Sequence, residues 1–276
     1  MTTGLHIFST APGVRKRAGK PFSLPVFEVI CQALSALMWR KLNGPIKFYG
    51  DRAACRWLDG LGMLDLYDTV DDRVLEAIPA DINQEIFWAG AKLFALQAEK
   101  APVAMVDTDL IVWKPLDGLL QDPLTVLHRE DLIECYIRKE YLKIRPDYVF
   151  DPGWDWTVRP CNTAFAYFGD DAFKDRYVEK AVDFMRGNGE YPKEMVSQMV
   201  FAEQRLLAME AVKEGVPIHT LVGDPFEAGN EVFTHLWGAK NIARNDRGQC
   251  RLLILSMMNK IKEEDSSLYE KLRKLV

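Results

Sequence analysis

The chain has 276 residues, of which 48% are hydrophobic, 27% charged and 11% aromatic; that is ample material for a packed core and excludes an intrinsically disordered chain. The formal net charge of −5 lacks the basic excess that a duplex nucleic-acid binder needs. Five cysteines (Cys31, Cys55, Cys135, Cys161 and Cys250) include no CxxC pair, so neither a disulfide framework nor a structural zinc site is expected.

The first residues lack the basic start and long apolar run of a signal peptide, and no stretch approaches the roughly 18 apolar residues of a membrane span. With reduced thiols, this points to a cytoplasmic protein. The apolar run Leu5–Phe8 predicts a first strand ending at Ser9-Thr-Ala-Pro-Gly13. The basic segment that follows, with Arg15, Lys16, Arg17 and Lys20, reads as a solvated loop or as a loop near a phosphate. Helical spacing over 24–41, stopped by Asn43-Gly44-Pro45, predicts a helix, and Ile46–Tyr49 a second strand. A helix over 51–59 and a short strand over 64–70 follow. Alternation of this kind implies an α/β fold with a mostly parallel sheet, whose ligands lie beyond the carboxyl ends of the strands.

The amphipathic segment Gln84–Glu99 predicts a helix carrying Lys92. Ala101–Val106 then reads as a buried strand ending in Asp107-Thr108-Asp109, and Leu124–Leu127 as another strand. Residues 128–160 break the alternation and read as an insertion rich in aromatics. Tyr148, Trp154 and Trp156 are candidates for a sugar-stacking platform or for a packed flap. The cluster His128-Arg129-Glu130-Asp131 reads more readily as a solvated turn than as a pocket wall. Asn162–Phe168 returns to a strand, helices follow over 171–186 and 194–214, and Val232–His235 is a last short strand. From Arg251 the tail is helical, with Ser267-Leu-Tyr-Glu270 matching a capping box. No internal repeat or linker divides the chain, so residues 1–276 read as one domain.

Two carboxylates one residue apart at the end of a buried strand repel each other unless a cation lies between them, and hard oxygen ligands suit a divalent metal. Alone, Asp107 and Asp109 could equally cap a turn. His235, at the end of an apolar run, can complete a carboxylate site. Gly238 permits close backbone approach to phosphate and Lys240 supplies a point charge for it. Oxygen and imidazole ligands together favour Mn²⁺ over Mg²⁺.

The order and spacing of these blocks resemble the glycogenin-like group of GT-A glycosyltransferases, which includes bacterial lipopolysaccharide galactosyltransferases. The resemblance is carried by Ala91-Lys92-Leu93, Val106–Val112, Pro115–Leu119, Cys161–Tyr167, Glu203–Leu207 and His235–Lys240, and spans residues 86–240. It implies a GT-A (nucleotide-diphospho-sugar transferase) fold with a helical C-terminus. It also implies hexosyl transfer from a nucleotide-diphosphate sugar, UDP by resemblance, to a carbohydrate or other hydroxyl acceptor.

Residue by residue, Asp109 and His235 would bind the metal, and Asp107 the metal and the ribose. Lys240, with Gly238, would hold the diphosphate, and Lys92 would approach the donor nucleotide. Asn162, Glu203 and Gln204 would face the transferred sugar. This chain departs from the family in having Glu203 in place of an aspartate, Thr163 after Asn162, and one residue fewer between Gly238 and Lys240. The stereochemical outcome and the oligomeric state stay open. A haloacid dehalogenase-type phosphatase also places Asp-x-Asp after an apolar strand, but near the start of its fold. A nucleotidyltransferase would need a Gly-rich phosphate loop, which Gly13 and Gly19 do not make. The remaining alternative is a nucleotide-sugar-binding module without turnover.

Overall fold

The computed structural model describes residues 1–13, 19–133, 138–192, 195–223 and 231–276. Arg15, Lys16 and Arg17 of the basic segment lie outside these residues, as does Cys135. Strand β1 (Thr3–Phe8) leads through Ser9–Gly13 toward helix α1 (Val26–Leu42). Gly44 ends this unit with φ +135°, a conformation that L side chains rarely adopt, and a Cβ there would meet the Thr2 carbonyl at 3.1 Å. Next come β2 (Ile46–Gly50), α2 (Arg52–Gly60) and β3 (Thr69–Asp71). The Asp51 carboxylate caps α2 by accepting from Ala54 N at 2.8 Å.

The third strand begins later than expected, because Leu64–Leu66 form a 3₁₀ turn instead. The helix expected over 84–99 is confined to α3 (Ala91–Ala98). Ahead of it, Asn83 Oδ1 accepts from the Glu85 and Ile86 amides, while Gly90 N and Leu93 N bond three residues back. A side-chain acceptor thus competes with the helix ladder over that stretch.

After β4 (Val103–Val106), β5 (Leu110–Val112) and β6 (Leu124–Val126), the chain crosses the aromatic insertion and returns as β7 (Phe165–Phe168). Helix α4 (Asp171–Arg186) begins at the Asp170 cap. A continuous helical segment follows, made of α5 (Met195–Val200), a π turn (Phe201–Arg205) and α6 (Leu206–Lys213). It leads to β8 (Ile218–Thr220) and β9 (Phe233–His235). Helices α7 (Ala239–Asn245), α8 (Arg247–Glu264) and α9 (Ser266–Leu272) finish the chain. The N-cap of α9 is Asp265, whose carboxylate accepts from Leu268 N at 2.9 Å; the capping box at Ser267 does not form.

The fold is α/β with a mostly parallel mixed sheet, as expected. The seven strands run in the order β3-β2-β1-β4-β7-β6-β8, and β7 is antiparallel to both neighbours. One core packs α1, α8 and α9 on one face, including Trp39, Phe48, Met257 and Ile261. The other packs α3, α4 and the α5–α6 segment on the opposite face, including Leu93, Phe173, Tyr177 and Phe201. Among the described residues, no helix is long and apolar enough to cross a membrane.

The insertion is a packed flap. Phe150 lies edge-on to Tyr148, Trp154 and Trp156, and Trp156 stacks on Phe201 with centroids 5.5 Å apart. Trp154 is buried and its indole donates to Glu210. Rings packed on one another in this way favour the second of the two readings of these residues, a packed flap rather than a sugar-stacking platform. The cluster 128–131 is also more than a solvated turn. His128 is buried, and Glu130 accepts from Asn162 Nδ2 at 2.6 Å.

Candidate metal centre

Strand β4 is buried along its whole length and ends in a tight turn. Asp107 N donates to the Ala164 carbonyl at 2.8 Å, and Leu110 N to the Asp107 carbonyl at 2.9 Å. This turn gathers both acids at the carboxyl end of β4 and sends the chain into β5. That strand leaves the main sheet and pairs antiparallel with β9, with Leu110 opposite His235. Leu236 N donates to the Asp109 carbonyl at 3.1 Å. The pairing carries an imidazole from far along the chain to the second acid, with His235 Nε2 3.6 Å from Asp109 Oδ2.

One oxygen each of Asp107 and Asp109 and one ring nitrogen of His235 lie within 4.8 Å of one another. A divalent cation with bonds of about 2.0–2.2 Å spaces its ligand atoms roughly 3–4 Å apart, so a small contraction suffices. Burial pushes the His235 pKa below its ordinary value, against the opposing pull of Asp109 and Asp107. The neutral ring keeps a lone pair for a metal. Burial alone would raise the Asp109 carboxyl, but the Lys240 ammonium holds it below the usual carboxylate range. Two carboxylates and a neutral imidazole form a donor set that fits Mn²⁺.

The support behind the turn was not legible in the sequence. Leu110 and His235 form a non-hydrogen-bonded pair, as the bonded pair Asp109–Leu236 beside them requires. The Leu110 carbonyl therefore faces away from β9, and Ser35 Oγ of α1 donates to it at 2.5 Å. With its hydrogen used there, Ser35 Oγ accepts from His6 Nε2 at 3.1 Å. That fixes His6 as the Nε2–H tautomer, so Nδ1 accepts from the Tyr67 hydroxyl at 3.0 Å, which in turn accepts from Gln32 Nε2 at 2.9 Å. Every donor in this chain points the same way, from Gln32 to the carbonyl beside Asp109. His6 is fully buried, and burial lowers its pKa to about 3, so it stays neutral. The one sequence signal was a histidine inside an apolar strand.

Two lysines balance the acids. Lys92 on α3 pairs with Asp107 and donates to Glu203 Oε1 at 2.8 Å. Burial would lower its pKa, but the two carboxylates outweigh this and hold it above its ordinary value. Lys240 on the first turn of α7 lies 2.7 Å from Asp109 Oδ2. Three carboxylates, two ammonium groups and a neutral ring leave one net negative charge for a cation to meet. The acids open into a cleft of about 290 Å³ lined by Phe8, Pro12, Trp88, Lys92, Asp107, Asp109 and Lys240, among others.

The remaining sequence candidates stand farther back. Glu203 is 4% exposed and lies on the π turn, with its carbonyl accepting from Tyr177 at 2.7 Å. Such turns widen a helix and recur at functional sites. Gln204 follows it, and its carbonyl accepts from Cys161 N at 3.1 Å, which ties the turn to the segment carrying Asn162. The Asn162 side chain is held by Glu130 and by Ala164 N. Among the described residues, the cleft wall leaves out Asn162, Glu203, Gln204, His235 and Gly238. A Cβ added to Gly238 would meet nothing within 4 Å, so packing does not require glycine there.

The chain is similar in fold to several solved structures. PaToxG glycosyltransferase shares 15% identity over 99% of this chain and 87% of that one, with a TM-score of 0.45. Mouse xyloside xylosyltransferase 1 shares 13% over 79% and 84%, with a TM-score of 0.39. The inositol-1-phosphate CTP transferase of T. maritima shares 15% over 95% and 97%, with a TM-score of 0.44. Likenesses at this level carry no functional argument. No curated protein matches the sequence. A family model covers residues 14–273, nearly the whole length, and by it the chain belongs to the family of unknown function DUF6734.

Proposed function

We propose that this chain is a metal-dependent glycosyltransferase, a single GT-A-type catalytic domain acting in the cytoplasm. It would move a hexose from a nucleotide-diphosphate sugar, UDP foremost, to a hydroxyl of a carbohydrate or other acceptor. The observation that carries the reading is the convergence of Asp107, Asp109 and His235 with Lys92 and Lys240. Five residues from three separate blocks of the sequence resemblance meet at one centre. A turn cap would need neither the imidazole nor the lysines.

Asp107, Asp109 and His235 would hold Mn²⁺ or Mg²⁺, which supplies charge neutralisation for a departing diphosphate. Lys92, paired with both Asp107 and Glu203, holds the two carboxylates in place, so the acids need no reorganisation when the donor enters. The open backbone at Gly238 leaves room for phosphate oxygens, and Lys240 lies within reach of them. Phe8, Pro12 and Trp88 give the cleft an apolar wall on the side of β1 and α3. Glu203, Gln204 and Asn162, tied together through the Cys161–Gln204 bond, would face the transferred sugar. Transfer breaks the bond from the anomeric carbon to the diphosphate oxygen and forms one to the acceptor oxygen. The acceptor's proton leaves with the diphosphate or with a carboxylate nearby. The protein's contribution is orientation and electrostatic stabilisation of the leaving group.

The test is a thermal-shift panel of UDP, GDP, CDP and ADP and their common sugars, with and without Mn²⁺. One nucleoside diphosphate, UDP foremost, should stabilise the chain only when Mn²⁺ is present. Asp109→Ala should abolish that shift while leaving the unliganded melting temperature near wild type, and His235→Ala should weaken it less. A Mn²⁺-independent shift, or an Asp109→Ala protein that still shows it, contradicts the assignment. Release of inorganic phosphate from monoesters without any sugar donor would favour a phosphatase instead. Metal-dependent binding without turnover would leave a binding module.

A further inference from the structure

The two lysines at the metal centre are not equivalent. Lys92 is held between two carboxylates, one of them the buried Glu203. Among the described residues, Lys240 pairs with a single one. Its Nζ sits 2.7 Å from Asp109 Oδ2, the same oxygen that faces His235 Nε2 at 3.6 Å. That oxygen is one that a cation held by Asp109 and His235 would need. An ammonium at hydrogen-bonding distance from it occupies one of its lone pairs and puts a positive charge roughly 4 Å from where a divalent ion would lie. The two positive charges repel at that separation, so binding of the cation drives an ammonium to leave. Lys92 cannot do so without stranding Glu203. Lys240 can, because its side chain is 26% exposed and opens to the cleft.

We propose that Lys240 is the counter-ion of Asp109 until the donor binds, and that the cleft therefore takes its divalent cation only together with a diphosphate. The inference rests on the donor-site reading above and adds an order to it. A bare divalent ion that displaces Lys240 takes its ammonium off the Asp109 carboxylate that balances it. A diphosphate supplies anionic oxygens both to the cation and to the displaced lysine, so the exchange is balanced in charge. The ligand class of the cleft is thus a preassembled complex of a divalent cation with a nucleoside diphosphate. Free metal ion is a poor ligand for as long as Lys240 remains on Asp109.

The experiment is a Mn²⁺ titration of the full chain followed by electron paramagnetic resonance of free Mn²⁺, run with Mn²⁺ alone and with Mn²⁺ plus UDP. Wild type, Lys240→Met, Lys240→Arg and Asp109→Ala are compared. Wild type should bind Mn²⁺ alone weakly, and UDP should tighten it. Lys240→Met removes the charge but keeps the length of the side chain. It should bind Mn²⁺ alone at least about tenfold more tightly than wild type and lose most of the tightening by UDP. Lys240→Arg, which keeps the charge, should stay weak toward Mn²⁺ alone. If Lys240→Met binds Mn²⁺ alone no better than wild type, the counter-ion role is overturned. The donor site itself survives that result provided wild type still binds Mn²⁺ with UDP and Asp109→Ala does not. If no arm binds Mn²⁺, both readings fall.

Discussion

Ser35→Ala removes one hydroxyl from the interior and should disturb a centre that Ser35 never touches. The substitution leaves the Leu110 carbonyl without its donor and the His6 Nε2–H without its acceptor, both inside the core. Each buried polar group so orphaned costs about 1–3 kcal/mol, and a partial relaxation of His6 makes a total of about 2–4 kcal/mol reasonable. For a chain of this size that corresponds to a fall in melting temperature of roughly 4–10 °C. Leu110 follows Asp109 directly, so a loosened carbonyl also loosens the acid. Loss of such an outer support typically lowers metal affinity about 10–100-fold. Thermal denaturation and a Mn²⁺ titration in the presence of UDP measure the two effects. Gln32→Leu, at the far end of the same chain of bonds, takes away only a donor to Tyr67 and should have a much smaller effect on both. A Ser35→Ala protein with unchanged Mn²⁺ affinity, or one no less stable than Gln32→Leu, would refute the idea that the buried bonds hold the acid turn.

Lys92→Met should destabilise the protein by about 3–5 kcal/mol in chemical denaturation, since it strands a carboxylate that is almost wholly buried. Adding Glu203→Gln should recover a good part of that loss, and no recovery would show that the pair is not the source. His6 gives a pH signature. Its folded pKa is about 3, against about 6.5 for an unfolded histidine. Below about pH 6.5 the unfolded chain takes up a proton that the folded chain refuses. The stability contributed by a neutral His6 is thus complete above that pH and declines by about 1.4 kcal/mol per unit as the pH falls toward 3. Glutamine offers one donor and one acceptor in the same place without titrating. His6→Gln should therefore show a shallower loss between pH 6 and 4, and equal slopes would contradict the buried, neutral assignment.

What could be read in the sequence was whatever is local. Periodicity bounded by strong punctuation placed α1 before Gly44-Pro45, α4 after Asp170, and the buried strand β4 before the acids. The helix over 84–99 was overextended because hydrophobic spacing does not register that Asn83 offers the backbone another acceptor. The cap of α9 went to Asp265 rather than Ser267, a matter of which side chain reaches the amides first. Contacts between distant segments were beyond local reading. The aromatic flap closes on Phe184 and Phe201, which belong to other elements. The β5–β9 pairing joins strands far apart in the chain; imidazole chemistry and the sequence resemblance suggested His235 for the Asp109 site, but no local pattern gave the strand pairing. The bonds from Gln32 to Leu110 left His6 in its apolar strand as their one signal, since Ser35 and Gln32 look like ordinary polar residues on a helix. Their burial is fixed only when α1 is enclosed between the sheets and α8.

The central claim is that two acids and a distant imidazole share one cation. Crystals soaked with Mn²⁺ and UDP, measured at the manganese absorption edge, test it most directly. The account predicts one strong anomalous peak within bonding distance of Asp107, Asp109 and His235, with the diphosphate beside it. A nucleotide bound in the cleft with no such peak, or manganese bound away from His235, would contradict it.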